Sequence, residues 1–408
     1  MDSSNPRSRV GTNQENVRRH NLSTLLRHLH LAGPLSRSSL ASLMGLNRST
    51  IADLVAQAEV LQLADQHARL TGGQSSAGRP SVGVGATEHA YVLAVDVRVS
   101  GLVVSRVGLG GRLLSQATGP SPDGHDPSAT AEGVARLTHA VLRDVRHDSV
   151  LVGIGVGIPG IIAGNNGIVR LAPNLGWRDV PFADILADRL GTNLRPILGN
   201  DADLGALAEH LRGVGSGVDD VVYVSGEVGV GAGIVTGGAP VSGMSGFAGE
   251  IGHLPFGDGS RPCHCGAVGC WETEIGAAAI ARAVGCPSDQ LSELGCRLDG
   301  IPSAPEELRE VGRHLGRGLA GLVALLNPEI IVLGGYLRAL YPWVREDVSA
   351  EMDARALKVT GIHPEIVLPG LGDRSVLIGA AEMAFRDLLD DPVNCLARAR
   401  RTSALAVN

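Results

Sequence analysis

Residues Gly249 to Glu272 read GEIGHLPFGDGSRPCHCGAVGCWE, and two kinds of chemistry meet in them. His253, Cys263, Cys265 and Cys270 are spaced His-x9-Cys-x-Cys-x4-Cys. One imidazole and three thiolates form a ligand set that tetrahedral structural zinc favours. Glu250 and Glu272 flank the set, and carboxylates so placed are suited to accept hydrogen bonds from a neutral polyol. Buried free cysteines beside two unrelated surface acids are the ordinary alternative. Four zinc-type ligands with turn glycines between them rarely coincide by chance, so the stretch predicts one structural Zn2+ per chain.

Around this stretch lie 408 residues, enough for two or three domains with substantial cores. The composition is that of a soluble globular protein. Cys286, Cys296 and Cys395 are scattered outside the cluster, which does not suit a secreted disulfide framework. The opening MDSSNPRSRV lacks an apolar core, and no apolar run reaches membrane-spanning length. A cytoplasmic protein with no membrane partner is the expectation. The formal charge of -7 conceals an asymmetry: residues 1–80 hold nine arginines against five acids, a net of +4. A basic head on an acidic body points to a polyanionic partner at one end.

The head carries a pattern to match its charge. After a polar tail, VRRHNLSTLLRHLHLAG places Val17, Leu22, Leu25, Leu26 and Leu29 on one helical face and stops at Gly33-Pro34. A short helix from Ser38 to Met44, a turn at Gly45-Leu46-Asn47 and a helix from Arg48 to about Glu59 make a helix-turn-helix. Arg48, Ser49 and Thr50 open the second helix, where base edges and phosphates are met, and Arg37 joins them as a DNA-binding candidate. ADQHARLTGGQSSAGRPSVGV then reads as a two-stranded wing. Arg79, held between Gly78 and Pro80, is slim enough to enter a minor groove; an ordinary linker arginine is the alternative.

From Ala90 the chain turns to α/β patterning. Three strands in hairpin succession, a helix over Ser128 to His147 and the strand LVGIGVGI ending at Pro159-Gly160 give a β-β-β-α-β order. Such domains bind ligands at their strand ends. Asn200 and Asp201 sit where a strand meets a helix. A carboxylate there can take a proton from a bound hydroxyl, and a helix N-cap is the alternative for either residue. Cys286 to Pro305 reads as a surface insertion, Glu306 to Leu326 as a long helix, and the tail after Asp390 as frayed.

Together, Gly249-Glu250-Ile251-Gly252-His253, Cys263-x-Cys265-Gly-x-x-Gly-Cys270-Trp-Glu272, Asn200-Asp201 and Asn327-Pro328-Glu329 with Gly334-Gly335 closely resemble the ROK family of repressors, open reading frames and kinases. The resemblance implies an α/β fold, the actin-like, sugar-kinase (ribonuclease H-like) two-lobed domain, preceded by a winged helix-turn-helix. It divides the chain into a disordered tail (1–15), a DNA-binding domain (16–86), a first lobe (87–190, with a C-terminal helix at 371–390), a second lobe (191–370) with zinc site and sugar pocket, and a tail (391–408). By resemblance Asn174, Asn200, Asp201, Glu250, His253 and Glu272 hold sugar hydroxyls, His253 doubles as a zinc ligand, and Asp201 matches the catalytic base.

Two departures bear on the family's two functions. Where its kinases have an Asp-x-Gly-Gly-Thr phosphate loop, this chain has Asp96-Val97-Arg98-Val99-Ser100, without the glycines that let backbone N–H groups reach phosphate. A second phosphate loop is altered to Glu227-Val228-Gly229-Val230-Gly231. A carboxylate beside a triphosphate costs on the order of 1 kcal/mol even in water, and more when shielded. The expectation is a regulator with no catalytic residue, Asp201 being a vestigial base. It would bind operator DNA as a homodimer or homotetramer and respond to a sugar or sugar phosphate. An active ATP-dependent sugar kinase with a DNA-binding head, and a protein-docking regulator with a vestigial sugar site, are the alternatives.

Overall fold

A computed structural model describes residues 14–69, 82–164, 166–287, 290–291, 294–355 and 364–402. α1 (Gln14–Ala32) buries Leu22, Leu25, Leu26 and Leu29, the apolar face its spacing predicts, but leaves Val17 largely exposed. It begins inside the expected tail; residues 1–13 of that tail lie outside the described residues. α2 (Arg37–Met44) starts on Ser36, whose hydroxyl accepts from the Ser39 N–H at 3.0 Å, and ends at Gly45 in left-handed backbone. Asn47 then caps α3 (Arg48–Val60), its Oδ1 accepting from the Thr50 N–H at 2.8 Å. The turn is therefore a helix stop followed at once by a helix start. β1 (Ala64–Arg69) and β2 (Val82–Ala86) pair antiparallel as the wing. Its tip, with Arg79, lies outside the described residues.

β3 (Ala90–Arg98), β4 (Gly101–Gly108), β5 (Arg112–Gly119), α4 (Pro127–Val141) and β6 (Val150–Ile158) follow in the expected order. β7 (Ile161–Ala163), β8 (Ile168–Ala172) and β9 (Trp177–Val180) form a small antiparallel sheet, and α5 (Phe182–Leu190) leads to β10 (Ile197–Asn200). The first large sheet has the order β10-β6-β3-β4-β5. β10 lies parallel to β6, from Ile197 opposite Gly155 to Asn200 opposite Ile158. The crossover through β7–β9 and α5 returns the chain to the same sheet, so β10 joins the first sheet although it follows the lobe boundary expected at 190/191.

The second lobe is built from α6 (Asp201–Arg212), β11 (Val221–Gly226), β12 (Val230–Thr236), β13 (Ala239–Pro240), α7 (Glu272–Ile275), α8 (Ala277–Ala283), α9 (Leu294–Asp299), α10 (Glu306–Leu326), β14 (Ile330–Gly335), α11 (Tyr336–Arg355) and β15 (Glu365–Val367). Its sheet runs β13-β12-β11-β14-β15, with β11 and β14 parallel. The segment from Cys286 to Pro305 is not a surface insertion: Cys286, Leu294 and Leu298 are buried in the core between β11, α10 and α11.

α12 (Ser375–Asp390) and α13 (Pro392–Thr402) close the chain. The expected frayed tail is corrected over 392–402. α13 turns Cys395, Leu396 and Ala399 inward, one i, i+1, i+4 face, against the cluster that joins α1, α12 and β3. The winged head thus shares one apolar core with the first lobe.

Candidate functional site

The site lies in a cleft of about 710 Å³ between the lobes, walled by Asn174, Asn200, Asp201, Glu250, His253 and Glu272 among others. Strand ends deliver these groups. β10 stops at Asn200, α6 starts at Asp201, and the β11–β12 turn brings Glu227 to Gly229. The sequence left Asn200 open between ligand contact and helix cap, and the structure makes it a cap. Its Oδ1 accepts from the N–H groups of Ala202 (2.8 Å) and Asp203 (3.1 Å), while its Nδ2 donates to the Gly160 carbonyl at 3.0 Å. The amide braces the cleft as well as lining it.

The opening motif folds back on β12. Gly249 has φ 93, and a Cβ there would fall 1.8 Å from the Ala232 carbonyl, so only glycine lets the segment pass this close to the strand. Trp271, fully buried, anchors the far end and donates its indole N–H to the His314 carbonyl at 2.9 Å. Between these anchors the ligand atoms of His253, Cys263, Cys265 and Cys270 all lie within 4.8 Å of one another. Cys265 Sγ is 3.6 Å from Cys270 Sγ, and Cys263 Sγ is 3.7 Å from His253 Nδ1. Tetrahedral sulfur ligands about 2.3 Å from a zinc ion stand about 3.7 Å apart, so the donor set fits a metal ion of that size. His253 faces both ways: Nδ1 is turned to the sulfurs, and Nε2 lies 3.8 Å from Glu250 Oε2 on the cleft side. Glu272 Oε1 accepts from the Cys263 thiol at 2.8 Å, tying the second glutamate to the cluster.

At the inner end carboxylates crowd together. Burial, with Asp96 and Glu250 adding repulsion, pushes Asp201 up to about 7 against the pull of the Ala202 N–H. Burial and then Asp201 raise Glu227 to about 7, although its carboxylate opens onto the cleft. Asp96 is likewise raised by burial, opposed by Arg98, whose Nε donates to Asp96 Oδ2 at 2.6 Å. The same guanidinium donates to the Asp373 carbonyl at 2.9 Å and, against its burial, is held charged by Asp96, with Glu227 and Asp373 adding to the effect. The sequence marked positions 96–100 and 227 by what they lack. It did not show that Arg98 joins them, because its partners are up to 275 residues away.

These shifts have a consequence for stability. A carboxyl near 4 unfolded and about 7 folded holds its proton preferentially in the native state, so its contribution to stability is greatest below about 4 and falls as pH rises to about 7. Asp201→Asn keeps the acceptor that binds the Ala202 N–H and removes the charge. It is expected to raise stability at pH 8 by roughly 1–3 kcal/mol, discounted for partial exposure, and to flatten the decline between pH 5 and 8. Melting curves across that range check this; a parallel decline in both proteins counts against it.

Arg48 and Ser49 are exposed at the start of α3, and Thr50 is half-buried. The Ser49 hydroxyl donates to Asn47 Oδ1 at 2.8 Å. Arg37 is exposed and donates to Gln66 in the wing, which in turn donates to Glu59.

The chain matches the ROK family over residues 94–387. It is 26% identical over 380 residues to the xylose repressor of Bacillus subtilis, spanning 92% of this chain and 97% of that protein. It is 34% identical over 250 residues to a glucokinase of Halalkalibacterium halodurans, spanning 57% of this chain and 75% of that one. Among solved structures, a ROK family transcriptional regulator homologous to the Escherichia coli MLC protein superposes with a TM-score of 0.73 at 24% identity, covering 94% of this chain and 99% of its own. A ROK family glucokinase from Streptomyces griseus, solved with glucose and AMPPNP, gives 0.60 at 27% identity, covering 72% and 99%. The fold is the mixed α/β fold of sugar kinases.

Proposed function

We propose, from the premise that this chain belongs to the ROK family, that it is a sugar-responsive transcriptional repressor whose kinase-like body senses a sugar without phosphorylating it. The observation that carries this is Arg98. Its guanidinium is bound by Asp96 and the Asp373 carbonyl, and Glu227 opens onto the cleft, so the ground a nucleotide's phosphates need is held by an internal ion pair and met by a carboxylate. The relatives aligned over nearly the whole chain support the same reading, as do a winged head and a cleft lined with hydroxyl-binding groups.

In this reading Asn174, Asn200, Asp201, Glu250, His253 and Glu272 receive sugar hydroxyls, Asn200 also capping α6. His253, Cys263, Cys265 and Cys270 would hold a structural zinc ion, whose contribution is to fix the loop that carries the glutamates. Arg37, Arg48, Ser49, Thr50 and Arg79 would meet operator DNA. A two-fold operator calls for a homodimer or an even higher oligomer, acting in the cytoplasm. No helix among the described residues is long and apolar enough to cross a membrane.

A sugar kinase is the second reading, favoured by the retained Asp201 and by the glucokinase relatives. Thermal-shift measurements with D-xylose, D-glucose and their phosphates, paired with a coupled ADP assay, separate the two. The expected result is a rise in melting temperature with at least one sugar and no sugar-dependent ADP release. Release that vanishes in Asp201→Ala would install the kinase reading instead.

A further inference from the structure

Two packed helices, one of which starts in the cleft wall, run to the DNA-binding head. α6 starts at Asp201 in the cleft wall and runs about 18 Å to Arg212, at 1.5 Å per residue. α12 starts two residues after Asp373, whose carbonyl holds Arg98, and ends at Asp390. The two are in backbone contact: a Cβ on Gly379 would fall 2.0 Å from the Leu204 carbonyl. Buried Glu209 of α6 also accepts from the Ser375 hydroxyl at 2.7 Å. Helices this close cannot slide independently, so they move as one body.

Besides the apolar core they share, buried charges seat the head on the end of α6 and the middle of α12. Arg212 donates through Nε to Glu382 Oε1 of α12 at 2.6 Å and through a second nitrogen to the carbonyl of His30, in α1, at 3.0 Å. His30 is fully buried. Its Nδ1 accepts from the Gly110 N–H at 2.9 Å, which leaves Nε2 to donate to Glu382 Oε2, also at 2.9 Å. Beyond this seat Ser23 donates to the Leu389 carbonyl and Arg27 pairs with Asp390, so α1 is held along the last turns of α12. An apolar seat would hold the head equally well. A buried, directional seat shared by α1, α6 and α12 also fixes its angle to α6, which starts in the cleft wall, and to α12 packed on it.

We infer that Arg212 and Glu382 are positioning residues that carry a shift at the cleft end of α6, transmitted with α12 packed on it, to α1, and so set the orientation of the DNA-binding helices. This rests on the sugar-sensing reading and specifies its route. Sugar bound against Asp201 biases one position of the paired helices, and the Arg212–Glu382–His30 contacts turn that bias into a tilt of α1.

Hydrogen–deuterium exchange on the full chain tests it, with saturating D-xylose and D-glucose as probes. In the wild type, sugar is expected to slow exchange at the β10–α6 junction and to alter it in α1 by at least about fivefold, the lower end of common coupling factors. Arg212→Met with Glu382→Gln removes both charges together, so neither is left buried alone. It is expected to keep the junction's response and lose that of α1, whereas Arg212→Lys restores part of it. Should the double variant fold poorly, Arg212→Lys, which keeps the charge and loses the two-pronged contact to Glu382 and the His30 carbonyl, gives the same comparison as a reduced α1 response. An α1 response equal to that of the wild type in a folded variant overturns the inference, as does a wild-type junction that responds while α1 does not. If neither sugar touches the junction in the wild type, the sensing reading fails, and the route fails with it.

Discussion

Replacing Cys265 with serine is expected to take the metal content from about one zinc per chain to near zero and to lower the melting temperature by on the order of 10 °C. Cys265 is the informative choice because it is exposed, whereas Cys263 and Cys270 are buried. Substituting either of those would confuse lost packing with lost ligation. The four ligand atoms are gathered within 4.8 Å, and without an ion three thiols and an imidazole have little reason to converge at a loop surface. The size of the effect follows from what the loop carries. Cys263 is bonded to Glu272, His253 lies between the sulfurs and Glu250, and Trp271 roots the segment in the core of the second lobe. Loosening the cluster therefore frees two cleft carboxylates at once, and sugar affinity should fall with stability. Cys296→Ser, another exposed cysteine outside the cluster, is the control and should change neither quantity. One zinc per chain in the Cys265→Ser protein, with an unchanged melting temperature, would sink the ligand assignment.

How much of this could be read beforehand depends on how local each signal is. Ligand type and spacing put His253, Cys263, Cys265 and Cys270 on the page without a fold, because metal chemistry restricts which residues can serve. The turn at Gly45-Leu46-Asn47 was equally legible, since a left-handed glycine and an asparagine cap act within three residues of themselves. Asn200 was legible only as a choice between two roles, and the deciding partner, the Gly160 carbonyl, comes from a different strand. That β10 pairs with β6 was not legible, because pairing partners in a parallel sheet are set by the crossover, which leaves no trace in a four-residue strand. α13 was missed because PVNCLARARRT looks like a solvated tail until Cys395, Leu396 and Ala399 are seen to share one buried face. The His30–Glu382 and Arg212–Glu382 contacts span 352 and 170 residues. Nothing local distinguishes these residues from any surface acid or base.

Arg48→Ala is expected to weaken binding to a duplex selected by the wild-type protein from a random pool by roughly 10- to 100-fold, the range of a good side-chain contact to DNA. Arg48 is exposed at the first position of α3, and neighbouring Ser49 is held by Asn47, so the helix start is fixed before DNA arrives. Removing an exposed side chain there should leave folding untouched, and an unchanged melting temperature establishes that the loss is one of contact. The salt dependence then identifies the contact. If Arg48 reaches a phosphate, the slope of log affinity against log salt falls by about 1 and binding weakens alike on all sequences. If it reads a base edge, the slope holds and discrimination at one position relaxes. Arg79→Ala serves as the comparison, because an arginine entering a narrow minor groove is drawn there by negative potential and should flatten the slope. A slope unmoved by Arg79→Ala returns that residue to the role of linker. Full affinity in Arg48→Ala, on the selected duplex and at every salt concentration, would remove α3 from the DNA interface, and with it the reason for a basic head on an acidic body.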